Sequence, residues 1–333
     1  DGRRTCVWVV NYANHELYLG SLSAAPEQEC GSALLEFSGA AGEIPYYTIN
    51  GRRMELSRDL NLEYTTLAFD EANFTFSPST TVETVPHIGA TVAVTAPLCD
   101  TSFRLSGDRF LEKWNRGQSI VSPSFQTRSI DIRTRATQTA RDNDNEQRPE
   151  TEGLGGSAPC EIEFEAAVSD AAVFTEWQIS RTPDFDILEN SYNELTLTYT
   201  FRENGNTYVR FVANNADGTC EQASDVYTVF VGESRLEIPN AFSPEGSPGI
   251  NDEWKVSYRS LVSYRCHIFN RWGKELFSST DPAVGWNGKI GNKTVPAGVY
   301  FYVIEAVGSD GIRYKRSGDI NVINYTSESQ PAE

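Results

Sequence analysis

Short runs in which apolar and polar residues alternate recur along the 333 residues, separated by Asn, Gly, Pro and Ser. In the first third, such runs lie at 6–10, 16–22, 46–49 and 90–95. Alternation of period two, punctuated by turn residues, predicts the strands of a sandwich or barrel rather than βαβ units. One helical candidate, 106–116, begins at a plausible N-cap and carries Phe110, Leu111 and Trp114. It is short enough to be a single surface turn. Residues 137–157 read TQTARDNDNEQRPETEGLGGS, with no aromatic and little apolar content. Such a segment buries too little surface to offset its conformational entropy, so a flexible linker is expected there. Its Asp142–Glu146 run lacks the sixth-position glycine and distant bidentate Glu of a calcium loop.

Beyond the linker the pattern sharpens. Residues 161–166 read as one strand, and Leu195, Leu197, Tyr199 and Phe201 alternate with Thr196, Thr198 and Thr200. The turn at 203–206 then leads into 208–212, which is expected to return as the second arm of a hairpin. Trp177 resembles the third-strand tryptophan of immunoglobulin-like sandwiches, which fills the space between the sheets. On these residues, 159–233 resembles a PKD-like surface module. A faint repetition also links 31–37 with 156–164, and less closely 96–103, as equivalent first strands of related modules.

From Leu236 the chain reads LEIPNAFSPEGSPGINDEW, then IFNRWG at 268–273, GWNGK at 285–289 and VPAGVYFYVI at 295–304. The signature positions in this series are Pro239, Asn240, Phe242, Pro244, Asn251, Asp252, Asn270, Arg271, Trp272, Gly273, Trp286, Gly288, Gly298, Tyr300 and Tyr302. Pro239 and Pro244 fix an extended entry, Asn287-Gly288 offers a turn, and 299–304 suits a central strand. Trp272 is expected in the core beside a conformationally free Gly273, with Arg271 bracing a neighbouring carbonyl or carboxylate. This ordered series resembles the gliding-motility-associated C-terminal domain, the type B signal of type IX secretion. The resemblance implies export across the outer membrane, cell-surface association, and retention by a PorP-like outer-membrane protein together with other secretion and envelope components. The sequence departs from that family at 245–249, where a carboxylate-rich loop has lost an Asp. The remaining oxygen donors are too few for calcium, and no metal or cofactor is expected.

The expected architecture is therefore all-β, with tandem Ig-like and PKD-like β-sandwich modules. An N-terminal region at 1–136 holds one or two sandwiches, followed by the linker at 137–157. A PKD/Ig-like domain occupies 158–234, the C-terminal Ig-like domain 235–325, and a tail 326–333.

Composition supports this and narrows the function. Tyr and Phe are abundant while Met occurs once, as suits pleated, half-buried surfaces. The formal charge is −18, with Asp and Glu spread along the chain rather than collected in a tail, which removes the cationic stripe that nucleic-acid binding needs. No apolar run is long enough to span a bilayer as a helix, and the opening Asp1-Gly2-Arg3-Arg4 suggests a mature or trimmed chain. Six cysteines without a Cys-x-x-Cys pair point to disulfides and an oxidising compartment. Cys160 and Cys220 bracket the PKD-like module and are the expected bridge. Cys6 with Cys30 is a second candidate, leaving Cys99 and Cys266 unassigned.

The three histidines, His15, His87 and His267, fall in no zincin, serine-hydrolase or P-loop context. Adjacent Cys266 and His267 in a strand would point to opposite faces, which argues against a nucleophilic pair. The chain is expected to be non-enzymatic. The leading function is a type IX secretion substrate that serves as a surface structural or anchoring protein. The alternative is a surface adhesin or glycan-binding protein using exposed aromatics.

Overall fold

The computed structural model describes residues 7–86, 91–148, 153–244 and 251–323. The molecule is all-β, and its alternating positions close around three separate hydrophobic cores. In the first module Leu17, Leu19 and Leu22 point inward from the Leu17–Ala24 strand, and Leu60, Leu62 and Tyr64 from Leu60–Asp70. Strands Leu17–Ala24, Ser32–Ala41 and Thr91–Thr95 form one sheet. Thr75–Val85, Leu60–Asp70, Arg104–Gly107 and Gln118–Val121 form the facing sheet. One core running from Leu17 to Phe125 fills the space between them, so the N-terminal region is a single sandwich.

Two local readings change in this module. The run at 6–10 forms no strand over its described residues, because Val7 and Val9 meet nothing that would bury them. The helical candidate contracts to Arg109–Glu112, held by Asp108, whose Oδ1 accepts from the Phe110 and Leu111 amides at 2.9 Å. That carboxylate is fully buried and ion-paired with Arg58, whose Nη1 also donates to the Gly42 carbonyl at 2.7 Å. A buried charge pair tolerates loss of neither partner, which pins the turn to the sheet beneath it.

The middle module is a sandwich of Ile132–Gln138, Cys160–Val168 and Thr196–Phe201 against a larger sheet. That sheet runs Leu154–Gly156, Tyr227–Val231, Gly205–Asn214, Phe174–Ser180 and Leu188–Tyr192. Trp177 fills the space between the sheets, with ring centroids 5.4 Å from Phe164 and 4.9 Å from Phe211. The expected hairpin is not formed. Thr196–Phe201 pairs with Cys160–Val168 in one sheet, while Gly205–Asn214 pairs with Phe174–Ser180 in the other. The turn carries the chain across the sandwich, with Gly205 at φ +102°. An in-sheet hairpin and a crossover bury the same alternate residues, so their sequence patterns coincide.

The linker expectation is also corrected. Residues 137 and 138 end a strand, and Gln138 exchanges hydrogen bonds with the Gly155 backbone at 2.7 and 2.8 Å. Residues 143–147 lie along the third module. The Gln147 amide donates to the Tyr258 carbonyl at 2.7 Å, and the Tyr258 amide donates to Asn145 at 3.1 Å. Asn145 Nδ2 reaches the carbonyls of Val256 and Pro282 at 2.7 and 2.8 Å. Glu146, its side chain almost wholly buried, pairs with Arg141 at 2.7 Å. Asn143, Asn145, Glu146 and Gln147 order here through hydrogen bonds and ion pairs, a route that a composition argument for disorder leaves out.

The bridge expected between Cys160 and Cys220 is replaced by Cys30–Cys220, which spans 190 residues and joins the first module to the second. Cys160 opens the Cys160–Val168 strand, whereas Cys220 lies in the loop beyond Asn214. Ser169, just past the other end of that strand, leads within a few residues to Val173, which hydrogen-bonds the Asn214 carbonyl. The two cysteines therefore sit at opposite ends of the sandwich, about 25 Å apart at the usual rise of a strand. The tentative Cys6–Cys30 pairing falls with the same observation, since Cys30 is taken; Cys6 itself lies outside the described residues. The two modules also meet where Arg135 stacks 4.2 Å over Phe74, at the tip of the long Leu60–Asp70/Thr75–Val85 hairpin.

Cys99, Cys160 and Cys266 are buried thiols, and burial pushes the Cys266 thiol up to about 11. A non-reducing digest is expected to yield one peptide pair joining Cys30 to Cys220. Alkylation of the native protein should spare Cys99, Cys160 and Cys266 until denaturant is added. A Cys160–Cys220 peptide, or rapid native labelling of Cys266, would contradict this arrangement.

Candidate functional site

The third module is a five-stranded sheet in the order Ala241–Phe242, Arg313–Val322, Gly298–Gly308, Leu261–Phe269 and Glu275–Ser279. Ala241–Phe242 runs parallel to the end of Arg313–Val322, and the Asn240 carbonyl accepts from the Asn321 amide at 2.9 Å. Four signature residues, Phe242, Trp286, Tyr300 and Tyr302, pack with Trp254 into the core under this sheet. Trp254 and Trp286 exchange backbone hydrogen bonds at 2.9 and 3.0 Å, and Trp254 Nε1 donates to the Pro239 carbonyl at 2.7 Å. The Trp286 ring lies 5.5 Å from Phe242 and 5.3 Å from Tyr300, while Tyr302 packs 5.3 Å from Trp254. Gly288, at φ +69°, leaves only 3.1 Å between a notional Cβ and the side chains of Phe242 and Pro244. A side chain there would be both strained and crowded. The Asn251 carbonyl closes the entry by accepting from the Ser243 amide at 3.0 Å; Asp252 beside it is half-buried. The altered loop lies at 245–250, outside the described residues.

Asn270, Arg271, Trp272 and Gly273 do something else. They form the tight turn before Glu275–Ser279, in which Asn270 Oδ1 accepts from the Trp272 and Lys274 amides, both at 3.0 Å. Gly273, at φ +79°, completes the turn and donates to the Asn270 carbonyl at 3.0 Å. Trp272 is not a core residue: it is 75% exposed, and the Arg271 guanidinium stacks 4.2 Å over its ring. The turn reverses the chain at a sheet end, so the side chain at its tip points away from the core.

Beside this turn lies an open groove of about 700 Å³, lined among others by Arg271, Trp272, Leu276, Ile290 and Lys293. Residues 298–301 also line it. Val299, Phe301 and Val303 stand on the outward face of the Gly298–Gly308 strand, while Tyr300 and Ile304 point inward. The 299–304 run is thus apolar on both faces, yet only one face is covered. A strand with two apolar faces normally lies between two layers, and that mismatch was the available sequence signal for a surface site.

His267 also points outward, with Nδ1 2.9 Å from Glu275, while Cys266 is buried beneath it, as alternation requires. His87 lies outside the described residues. Among the described residues, no three His, Cys, Asp or Glu side chains converge as metal donors, and no helix is long and apolar enough to cross a membrane.

Residues 236–322 match the CHU_C type IX secretion signal domain. The chain carries a type IX secretion signal domain. Its first module, over residues 22–122, matches the fibronectin type III domain. Among curated proteins none matches the chain. Similar solved structures include dimeric latent PorU from Porphyromonas gingivalis, at 10% identity and TM-score 0.19, covering 93% of this chain and 34% of that one. The chain thus spans about a third of the length of that protein. The chicken CNTN1 FN1–FN3 domains are similar at 12% identity and TM-score 0.29, covering 91% and 98% of the two chains. The Clostridium thermocellum CbhA fibronectin(III)-like modules follow at 14% and 0.21, covering 60% and 100%. Likenesses at this level carry no functional argument. The secretion signal domain does: a domain of this family implies export by type IX secretion and association with the cell surface or outer membrane.

The tryptophans of the signal domain divide into two kinds, and mutation should separate them. Trp286→Ala is expected to destabilise the domain by about 3–5 kcal/mol, since it empties a fully buried site. Trp272→Ala is expected to cost under about 1 kcal/mol, the scale of one exposed cation–π contact. Thermal unfolding of both full-length variants checks this; equal losses would place Trp272 in the structural set.

Proposed function

We propose that the protein is a non-catalytic component of the bacterial surface whose signal domain, after export, docks on a PorP-like outer-membrane protein and holds the two preceding sandwiches in place. The match of residues 236–322 to the type IX secretion signal domain carries this reading. The exposed groove beside Trp272 supports it, because it supplies an unfilled apolar surface on the module that serves as the address. The modules before it suit a spacer or scaffold. Their cores are closed; a disulfide ties them to each other at one end of the middle sandwich, and hydrogen bonds from residues 145–147 tie that sandwich to the signal domain at the other.

One observation favours a second reading, as an adhesin or glycan binder. In the first module Trp8 and Tyr47 are both exposed, with ring centroids 5.6 Å apart, and Tyr18 is exposed as well. Exposed aromatic faces of this kind stack on sugar rings. Mild cross-linking on intact cells of the native host, followed by purification of this protein and mass spectrometry, decides between the two. Anchoring predicts recovery of a PorP-like barrel or another type IX envelope component. Recovery of glycans or foreign surface proteins alone would replace it with adhesion.

A further inference from the structure

The chemistry of the groove narrows what it receives. Its lining contains two cations, Arg271 and Lys293, and no carboxylate. This is unusual in a chain of net charge −18. The imbalance is confined to residues 1–234, which hold 35 acidic and 17 basic side chains; residues 235–333 hold 11 of each. Among the described residues neither Arg271 nor Lys293 is ion-paired, and Arg271 is spread over the Trp272 ring instead. Carboxylates at neighbouring register positions are already engaged, Glu275 by His267 at 2.9 Å and Asp319 by Asn321 at 3.3 Å. The groove is therefore an apolar trough with an unneutralised basic rim.

We propose that this groove receives an extended protein segment of the outer-membrane partner, carrying an aromatic or aliphatic anchor flanked by Asp or Glu. The proposal rests on the docking reading above and adds the face and the partner's chemistry to it. The anchor would lie against Trp272, Ile290 and Val299, with its flanking carboxylates meeting Arg271 and Lys293. Arg suits this role because its planar fork binds a carboxylate in two places while stacked on an aromatic ring. A lipid surface is the competing occupant: Trp272 is a single exposed aromatic on a turn, with no amphipathic helix beside it to lie in the membrane interface. Charge at the rim governs partner choice and approach, and the apolar trough supplies the contact that persists.

The test uses the full-length protein and three fluorescent twelve-residue peptides with a central Phe-Leu pair, flanked by Glu, Ser or Lys. Anisotropy should show the Glu-flanked peptide binding about tenfold more tightly than the Lys-flanked one, equivalent to about 1.4 kcal/mol. The R271E/K293E double variant should reverse that order, and W272A should weaken every peptide while leaving the melting temperature within a few degrees. Equal binding of all three peptides, or binding unaffected by W272A, would overturn the proposal. So would tighter binding to phosphatidylglycerol vesicles than to any peptide, which would assign the groove to lipid. The docking reading fails separately: if cells cross-link R271E/K293E to the barrel as well as wild type, the face is wrong and docking stands. If wild type recovers no barrel, docking itself is wrong.

Discussion

The middle sandwich is held at both ends, and the arrangement of the chain depends on that. At one end the Cys30–Cys220 disulfide ties it to the fibronectin type III module. At the other, residues 145–147 lie beside the Ser257–Arg259 strand, which also pairs with Arg235–Glu237. An open strand edge offers unpaired amides and carbonyls to any passing chain. Here the protein's own connecting segment satisfies them. Ser157 and Ser260 reinforce the contact through reciprocal side-chain to backbone hydrogen bonds, at 2.8 and 3.2 Å from the Ser260 and Ala158 amides. The signal domain is thus presented with the preceding module fitted against it.

Much of the architecture was legible because burial and alternation are coupled. Trp177 sits between two sheets as its sequence context implies, and 299–304 is a central strand. What was not legible depends on long-range geometry. Cys160 and Cys220 bracket a module in sequence and yet lie at its opposite ends, a separation fixed only once the strand direction is known. The crossover at Gly205 buries the same residues as a hairpin would. The segment at 139–147 looks solvated by composition, because its order comes from hydrogen bonds to a module more than a hundred residues away.

The candidate site was legible in part. Its residues at 270–273 were singled out, but Trp272 was assigned to the core on the ground that tryptophans are usually buried. The tight turn that Asn270 and Gly273 build is what exposes it. Ile290 and Lys293 carried no signal of their own, since they belong to the groove only through folding of the 285–298 stretch. The signature series therefore contains two kinds of residue. One kind, including Phe242, Trp286 and Tyr300, makes the domain; the other, Arg271 and Trp272, is displayed by it.

As a type IX secretion signal domain, residues 236–322 should send this chain out of the cell. Protease shaving of intact native-host cells tests it most directly, comparing a secretion-competent strain with one lacking the translocon. The protein should be shaved from competent cells and protected in the deficient strain. Equal shaving from both strains would contradict it.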